Sequence, residues 1–339
     1  MKITILACAL DSNPIVRIYP IAKVLQRHHE VEIIGSQQGE RLFLPYEDEF
    51  EVKAYRYQTT LDFATKVWPE MLRAISGDVI YAFKPRLTTY GLALWNRRLT
   101  GVPVVLDIED WETGLLLDHA WPRKLRSLLS FWRPDNGLTN WIMEKMVPRA
   151  DGIFVVSTSL QQRFGGTRLV HGADTATMDP ALFEQRALRD KWRLPLDAFI
   201  VLFAGKPAPH KGVLHIAQAL TTLQDSPREP LLLLVGGQNE DPYVRQVLDA
   251  AKGKVIHLGY QPHALMPELL AVSDCVALPQ LPTHYAQAQV PGKVFEALSM
   301  AKPVAASRIS DLPEIVSGCG LLFEPGDVHG LAAAVDRLM

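Results

Sequence analysis

The sequence predicts an α/β protein made of two doubly wound parallel sheets. Three observations carry that expectation. Short apolar runs alternate with helical patterns along nearly the whole chain, the runs are continuously apolar, and the alternation lapses once near the middle before starting again. A continuously apolar strand is one buried on both faces, the condition of a parallel sheet covered by helices on either side. The crossovers such a pattern requires put the loops after the strands on one sheet edge, where ligands bind. The 339 residues suit two domains, and a composition of 48% hydrophobic and 21% charged residues supplies a core for each. A formal net charge of −2 argues against nucleic acid as a partner. Cys8, Cys275 and Cys319 lie far apart without metal spacing, which suits a reducing cytosol.

In order, residues 2–10 read as a first strand. They carry one Lys, end at Asp11 and lack a cleavage site, so they are not read as a signal peptide. Residues 14–28 form a helix with apolar Val16, Tyr19, Ile21, Ala22, Val24 and Leu25, and 31–34 a strand closed by Gly35. The charged and aromatic stretch 40–60 has weak periodicity and is left open. Helix 62–75, strand 78–83, helix 88–99 and strand 104–108 follow, the last entered through Gly101-Val102-Pro103. A helical region at 122–147 breaks near Pro134-Asp135-Asn136-Gly137; strand 151–156, helix 159–164 and strand 168–170 close the first half. Residues 171–195 read as a linker and a helix, with the boundary near Thr175, giving domains 1–175 and 176–339. Strands then recur at 199–204, 231–235, 255–258, 275–278, 304–306 and 321–323. Helices lie at 213–223, 242–251, 263–271, 312–316 and from Val328. No apolar run approaches the roughly 20 residues that cross a bilayer, so any membrane contact is expected to be peripheral.

The stretch 291–304 organises the second half. Pro291 and Gly292 break what precedes, Val294, Ala297, Leu298 and Ala301 form one apolar helical face, and Lys302-Pro303 turns into a strand. Lys293 and Glu296 fall in the first turn. A helix start offers backbone N–H groups to a phosphate, and a carboxylate one turn in can accept hydrogen bonds from a ribose. A buried helix with a well-placed acid reads the same way. The second half opens with a strand running into Gly205-Lys206-Pro207-Ala208-Pro209-His210-Lys211-Gly212. Lys206 and Lys211 stand at the sheet's carboxyl edge, where two cations would neutralise a diphosphate and steady it as a leaving group. A solvated basic loop is the plainer alternative.

These residues resemble glycosyltransferase family 4, retaining enzymes with the two-domain GT-B fold. Lys206 and Lys211 fall on that family's Arg/Lys pair, which grips the donor diphosphate. Glu296 falls on the second Glu of its paired-Glu motif, which binds the donor ribose. Val170-His171-Gly172-Ala173-Asp174 with Asp179-Pro180 resembles the interdomain signature, and Asp311-Leu312-Pro313-Glu314 the ending after the donor helix. The resemblance implies two Rossmann-like domains facing a central cleft, acceptor side first and nucleotide-sugar side second. The departures are specific. The family's first Glu falls at Ala288, a glycine-rich loop after strand one is replaced by Asp11-Ser12-Asn13-Pro14, and the family's His gives way to Glu109. The family's last helix, which crosses back to the first domain, would need residues beyond Met339. Pro291, Gly292 and Lys293 read as a variant in which this loop holds phosphate.

Within that frame the acids Asp107-Ile108-Glu109-Asp110-Trp111-Glu112 end a strand. Glu109 and Asp110 are the candidates to orient a sugar or assist acceptor deprotonation; a helix-capping acidic loop is the alternative. A metal suits carboxylate pairs, but the lysines already supply the charge and the resemblance implies none. Lys84 and Arg86, with Trp111, are expected on the acceptor side, against a plain surface turn. The resemblance seats the nucleobase at Gly259-Tyr260, although Tyr260 reads better as packing. His171 and His210 read as ordinary loop histidines. Trp121, Arg123, Lys124, Arg126, Phe131, Trp132 and Arg133 mix aromatic and basic residues, a pattern that rests on an anionic membrane or, more often, puts the Trp side chains in a core. The expected function is transfer of a sugar from a nucleotide diphosphate sugar, UDP- or GDP-linked, to a hydroxyl of a surface glycan or polyprenyl-linked acceptor. It is expected in the cytoplasm, without a cofactor. An epimerase of the same fold and a non-catalytic nucleotide-binding partner are the rivals.

Overall fold

The computed structural model describes residues 1–12, 15–43, 51–223 and 228–339. Asn13 and Pro14 of the strand-one loop, and 44–50 of the open stretch, lie outside them. The chain divides into two compact units, Met1–Val170 and His171–Met339.

The first unit holds seven strands: β1 (Lys2–Ala7), β2 (Glu30–Gln37), β3 (Lys53–Arg56), β4 (Val79–Phe83), β5 (Val104–Ile108), β6 (Gly152–Val155) and β7 (Thr167–Arg168). Their order across the sheet is β3-β2-β1-β4-β5-β6-β7, all pairs parallel. Ile3 pairs with Val31 on one side and Val79 on the other, so β1 is central and buried on both faces. Ile5, Leu10, Ile15, Ile18 and Phe83 gather in the core on one face. The order reverses between β1 and β4, and backbone strain sits at that switch: Ala9 (φ +49°) and Lys84 (φ +67°) are left-handed without being glycine.

The second unit holds β8 (Phe199–Ala204), β9 (Pro230–Val235), β10 (Val255–Gly259), β11 (Cys275–Leu278), β12 (Val304–Ser307) and β13 (Gly320–Phe323), ordered β10-β9-β8-β11-β12-β13 and all parallel. Here the order reverses between β8 and β11. Phe203, Val213, Ile216, Leu220, Leu234 and Val335 fill one side of the sheet, beneath the helices Val213–Thr222 and Val328–Leu338.

Three differences from the sequence reading are informative. The open stretch contains edge strand β3, mostly exposed and paired through Ile34 to Lys53. The helical region at 122–147 breaks as expected, though earlier than Pro134, into Trp121–Leu128 and Gly137–Met146. Asn136 caps the second: its Oδ1 accepts from the Leu138 and Thr139 amides at 2.9 and 3.0 Å, while Thr139 Oγ1 accepts from the Asn136 amide at 2.9 Å. The acids after β5 begin a further helix, Glu112–Asp118. Among the described residues no helix is long and apolar enough to cross a membrane.

Candidate functional site

The second unit's site is built where the loops after β8 and β11 meet. β8 runs straight into Gly205, whose φ of +125° no ordinary L residue adopts. The space a Cβ would take there is occupied by Lys293, whose Nζ would lie 2.7 Å from it. Lys293, from the first turn of the helix Lys293–Ser299, thus reaches back over the exit of β8, its ammonium 5.7 Å from the Phe203 ring centroid. The turn Pro209–Lys211 ends at Gly212 (φ +66°), where a Cβ would fall 1.9 Å from the Pro279 carbonyl oxygen. The Leu281 amide donates to the His210 carbonyl at 2.8 Å and the His210 and Tyr285 rings meet edge to face, so the two loops are laced together. Lys211 Nζ donates to the Lys206 carbonyl at 2.9 Å, holding the loop in a tight bend, while the Lys206 side chain is exposed. The loop that carries Lys206 and Lys211 and the Lys293 ammonium therefore belong to one switch point, the place where doubly wound sheets bind ligands.

Glycine also floors the neighbouring strands. A Cβ on Gly236 (φ +107°) would lie 2.6 Å from the Gly205 carbonyl oxygen, and the Gly236 amide donates to the Gly259 carbonyl at 2.5 Å. Tyr260 follows Gly259 (φ +63°) and is half-buried, with its hydroxyl pKa raised by burial and then by Asp241.

Glu296 stands in the helix Lys293–Ser299 with Oε1 3.3 Å from His263 Nε2, both side chains mostly buried. The helix start differs from the expectation of open amides. The Val294 amide already donates to Pro291 O at 3.1 Å and the Phe295 amide to Gly292 O at 3.0 Å, so two of its donors are spent on the turn itself. Gly292 has ordinary helical angles (φ −55°) and lies beside the His171 ring, 3.4 Å from where its Cβ would be. Ala288 is buried on the short helix His284–Ala288, where a carboxylate would lack water.

In the first unit the strand-end charges are paired with one another. Arg17 forks Asp107 at 2.9–3.1 Å, Tyr81 also donates to Asp107, and Arg17 donates to the Leu169 carbonyl at 2.9 Å; this pair is sealed from solvent. Asp107 is accordingly a structural acid. Lys84 and Arg86, expected to face an acceptor, are turned onto their own acids. Lys84 Nζ contacts Asp110 and lies 3.5 Å from Glu112 and 3.8 Å from Glu109, and Arg86 forks Glu112 at 2.9–3.1 Å. Burial first, and then the Asp110 charge, push the Glu109 carboxyl up to about 8 against the opposing pull of Lys84 and Arg17. The shift favours the protonated form of Glu109 toward neutral pH, in which it can donate a hydrogen bond. Trp111 is covered by the Arg163 guanidinium, 3.6 Å from its ring centroid. Among the described residues no three His, Cys, Asp or Glu side chains are placed to hold one metal ion. Trp121 and Trp132, read more often as core, are at the surface, 72% and 53% exposed, and the neighbouring Trp141 is 47% exposed.

Sequence reasoning missed His263 and Arg17. His263 starts the turn after β10, so it stands at the same carboxyl edge as Glu296, and strand order alone would have nominated it.

The two sheets and their switch points define the class, an α/β GT-B fold. Solved structures of that fold match over the whole chain. Anabaena Alr3699/HepE in complex with UDP-glucose superposes with a TM-score of 0.72 at 19% identity, covering 99% of this chain and 89% of that one. WaaG, a glycosyltransferase involved in lipopolysaccharide biosynthesis, gives 0.71 at 13% identity, covering 100% and 90%. Residues 198–339 match the family model described as glycosyl transferases group 1. O-antigen chain mannosyltransferase B of Escherichia coli is 28% identical over 50% of this chain and 43% of its own, and alpha-D-kanosaminyltransferase of Streptomyces kanamyceticus 23% over 71% and 62%. The chain thus spans about half the length of the curated relatives it matches.

Proposed function

We propose that this chain transfers a sugar from a nucleoside diphosphate sugar, UDP- or GDP-linked, to a hydroxyl of a surface-glycan or polyprenyl-linked acceptor, with retention at the anomeric carbon. The observation that carries the reading is that the loop bearing Lys206 and Lys211 meets Lys293 at the β8–β11 switch point, with Glu296 on the same helix as Lys293. As the glycosidic bond to the donor phosphate breaks, negative charge grows on the diphosphate, and ammonium groups already in place favour that transition state over the ground state. The glycine floor of Gly205, Gly236 and Gly259 lets a ligand approach the backbone, and Pro291 and Gly292 shape the turn that launches Lys293. Glu296 accepts hydrogen bonds from the ribose, oriented by His263, and Tyr260 borders the base. In the first unit, protonated Glu109 donates to a sugar or acceptor oxygen and Asp110, charged against Lys84, fixes its position; Arg86 and Trp111 support that cluster. No cofactor enters, since the donor is itself a substrate. The reaction is placed in the cytoplasm. The mannosyltransferase and kanosaminyltransferase relatives and the UDP-glucose-bound neighbour support the substrate class.

Calorimetric titration with UDP-, GDP- and ADP-sugars, followed by turnover with and without a lipid-linked acceptor, tests the proposal. Lys211→Ala should weaken nucleoside diphosphate binding by about 10- to 100-fold, as loss of a charged hydrogen bond does. Glu296→Gln should weaken a nucleotide sugar more than a ribose-free diphosphate. Unchanged affinity in Lys211→Ala, or equal losses for both ligands in Glu296→Gln, removes the assigned role. Donor consumed without an acceptor, as an epimerised nucleotide sugar, replaces transfer with epimerisation.

A further inference from the structure

The helices Trp121–Leu128 and Gly137–Met146 turn an apolar surface outward. They pack together where the helix start at Gly137 meets Ser127 and Leu128, a Cβ there lying 3.0 Å from Ser127 Oγ. Trp121, Leu125 and Leu129 recur every fourth residue and so share a helix face, and all three are exposed. In the second helix Leu138, Trp141 and Ile142 repeat at helical spacing, again exposed. Phe131 and Trp132, in the connection, are 60% and 53% exposed. The Trp132 carbonyl accepts from the Thr60 amide at 3.0 Å, which brings exposed Leu61 to the same border. Soluble surfaces scatter large apolar side chains singly; a run like this marks a surface that is covered in use.

The charges say what covers it. Between residues 119 and 145 stand Arg123, Lys124, Arg126, Arg133 and Lys145, against two acids, Asp135 and Glu144. Neither acid is exposed: Asp135 accepts from Thr88 at 3.0 Å and Glu144 from the Thr113 amide at 2.8 Å. The outward charge of the segment is therefore all positive. A second copy of this face would meet like charges, whereas an anionic bilayer supplies both the opposite charge and the apolar interior.

We propose that this helix pair is a membrane-docking surface, lying in the headgroup region of a bilayer rich in anionic phospholipid with Trp121, Leu125, Phe131 and Trp132 inserted and the arginines on lipid phosphates. The inference goes beyond the transfer reading and stands without it, because docking needs no sugar. Flotation of the full chain with vesicles of phosphatidylglycerol and phosphatidylcholine should show binding that phosphatidylcholine alone does not give and that salt reverses. Quenching of tryptophan fluorescence by brominated acyl chains should report insertion in the unaltered chain. Neutralising three cations in R123Q/R126Q/R133Q should lower the partition coefficient roughly a hundredfold, about fivefold for each charge, and W121S/L125S/W132S should abolish quenching, with melting of both variants unchanged. No binding to the anionic vesicles, equal binding to neutral ones, or variants that partition like the parent would each overturn the proposal. So would a dimer in sedimentation equilibrium that W121S/L125S/W132S dissociates, which would make the occupant a second copy of the chain.

Discussion

Replacing Glu109 by Gln should change how the stability of the chain depends on pH. In the unfolded chain the carboxyl titrates at its ordinary value of 4.5, and in the folded chain at about 8. Between the two, the folded protein holds a proton that the unfolded chain has released. Stability is then fully favoured by this group below pH 4.5 and falls as pH rises toward 8. One proton's difference sets the slope at no more than about 1.4 kcal/mol per pH unit, or about 3 kcal/mol between pH 5 and 7. The pull of Lys84, 3.8 Å away, is already contained in the value of about 8; titration shared with the neighbouring Asp110 spreads the proton release over a wider range, so about 1–2 kcal/mol over that interval is the working expectation. Gln keeps the shape and the hydrogen-bond donor but cannot ionise. Urea unfolding of both proteins at pH 5, 6 and 7, followed by tryptophan fluorescence, should show Glu109→Gln gaining on the parent by that amount as pH rises. Ionisable groups away from Asp110 and Lys84 are shared and cancel in the difference. Parallel stability curves would mean that Glu109 is ionised in the folded chain, and the hydrogen-bond donor assigned to it would be lost.

Two further outcomes test the frame around the sites. Arg17→Met strands Asp107 in a sealed interior, which should cost roughly 3–5 kcal/mol of stability; a thermal melt within about a degree of the parent would show that the ion pair is not the lock it looks to be. Gly212→Ala must move a Cβ that would lie 1.9 Å from the Pro279 carbonyl, so it should lower stability by about 1–3 kcal/mol and weaken diphosphate binding together. Weakened stability with unaltered binding would uncouple the two loops.

The sheets were legible because each strand is a closed signal, an apolar run between breakers, and β8 and β11 begin and end where the sequence says. Strand β3 was not, because an exposed edge strand carries no apolar face and is specified by its neighbour β2. The helix Glu112–Asp118 had no counterpart in the sequence reading, since Gly114 lowers helix propensity; in the structure the Trp111 ring lies on Gly114, which explains the glycine. The positions of Lys206, Lys211 and Glu296 along the chain were readable, but their partners were not. His263 is 33 residues from Glu296, and Lys84 is 26 from Asp110. The Trp cluster shows a different limit. Helical spacing reveals that Trp121 and Leu125 share a face, yet says nothing of whether that face looks inward or outward.

The glycine floor at the ends of β8, β9 and β10 has a consequence for how such a protein diversifies. Positive φ angles at Gly205, Gly236 and Gly259 disfavour any side chain there, whereas rim positions such as Gln238 and Glu240, exposed on the loop after β9, are free to vary. Anchoring and discrimination are thereby assigned to separate parts of the chain. Libraries confined to the rim should shift preference among related substrates while the anchoring scaffold persists, and libraries that touch the floor should yield mostly inactive proteins.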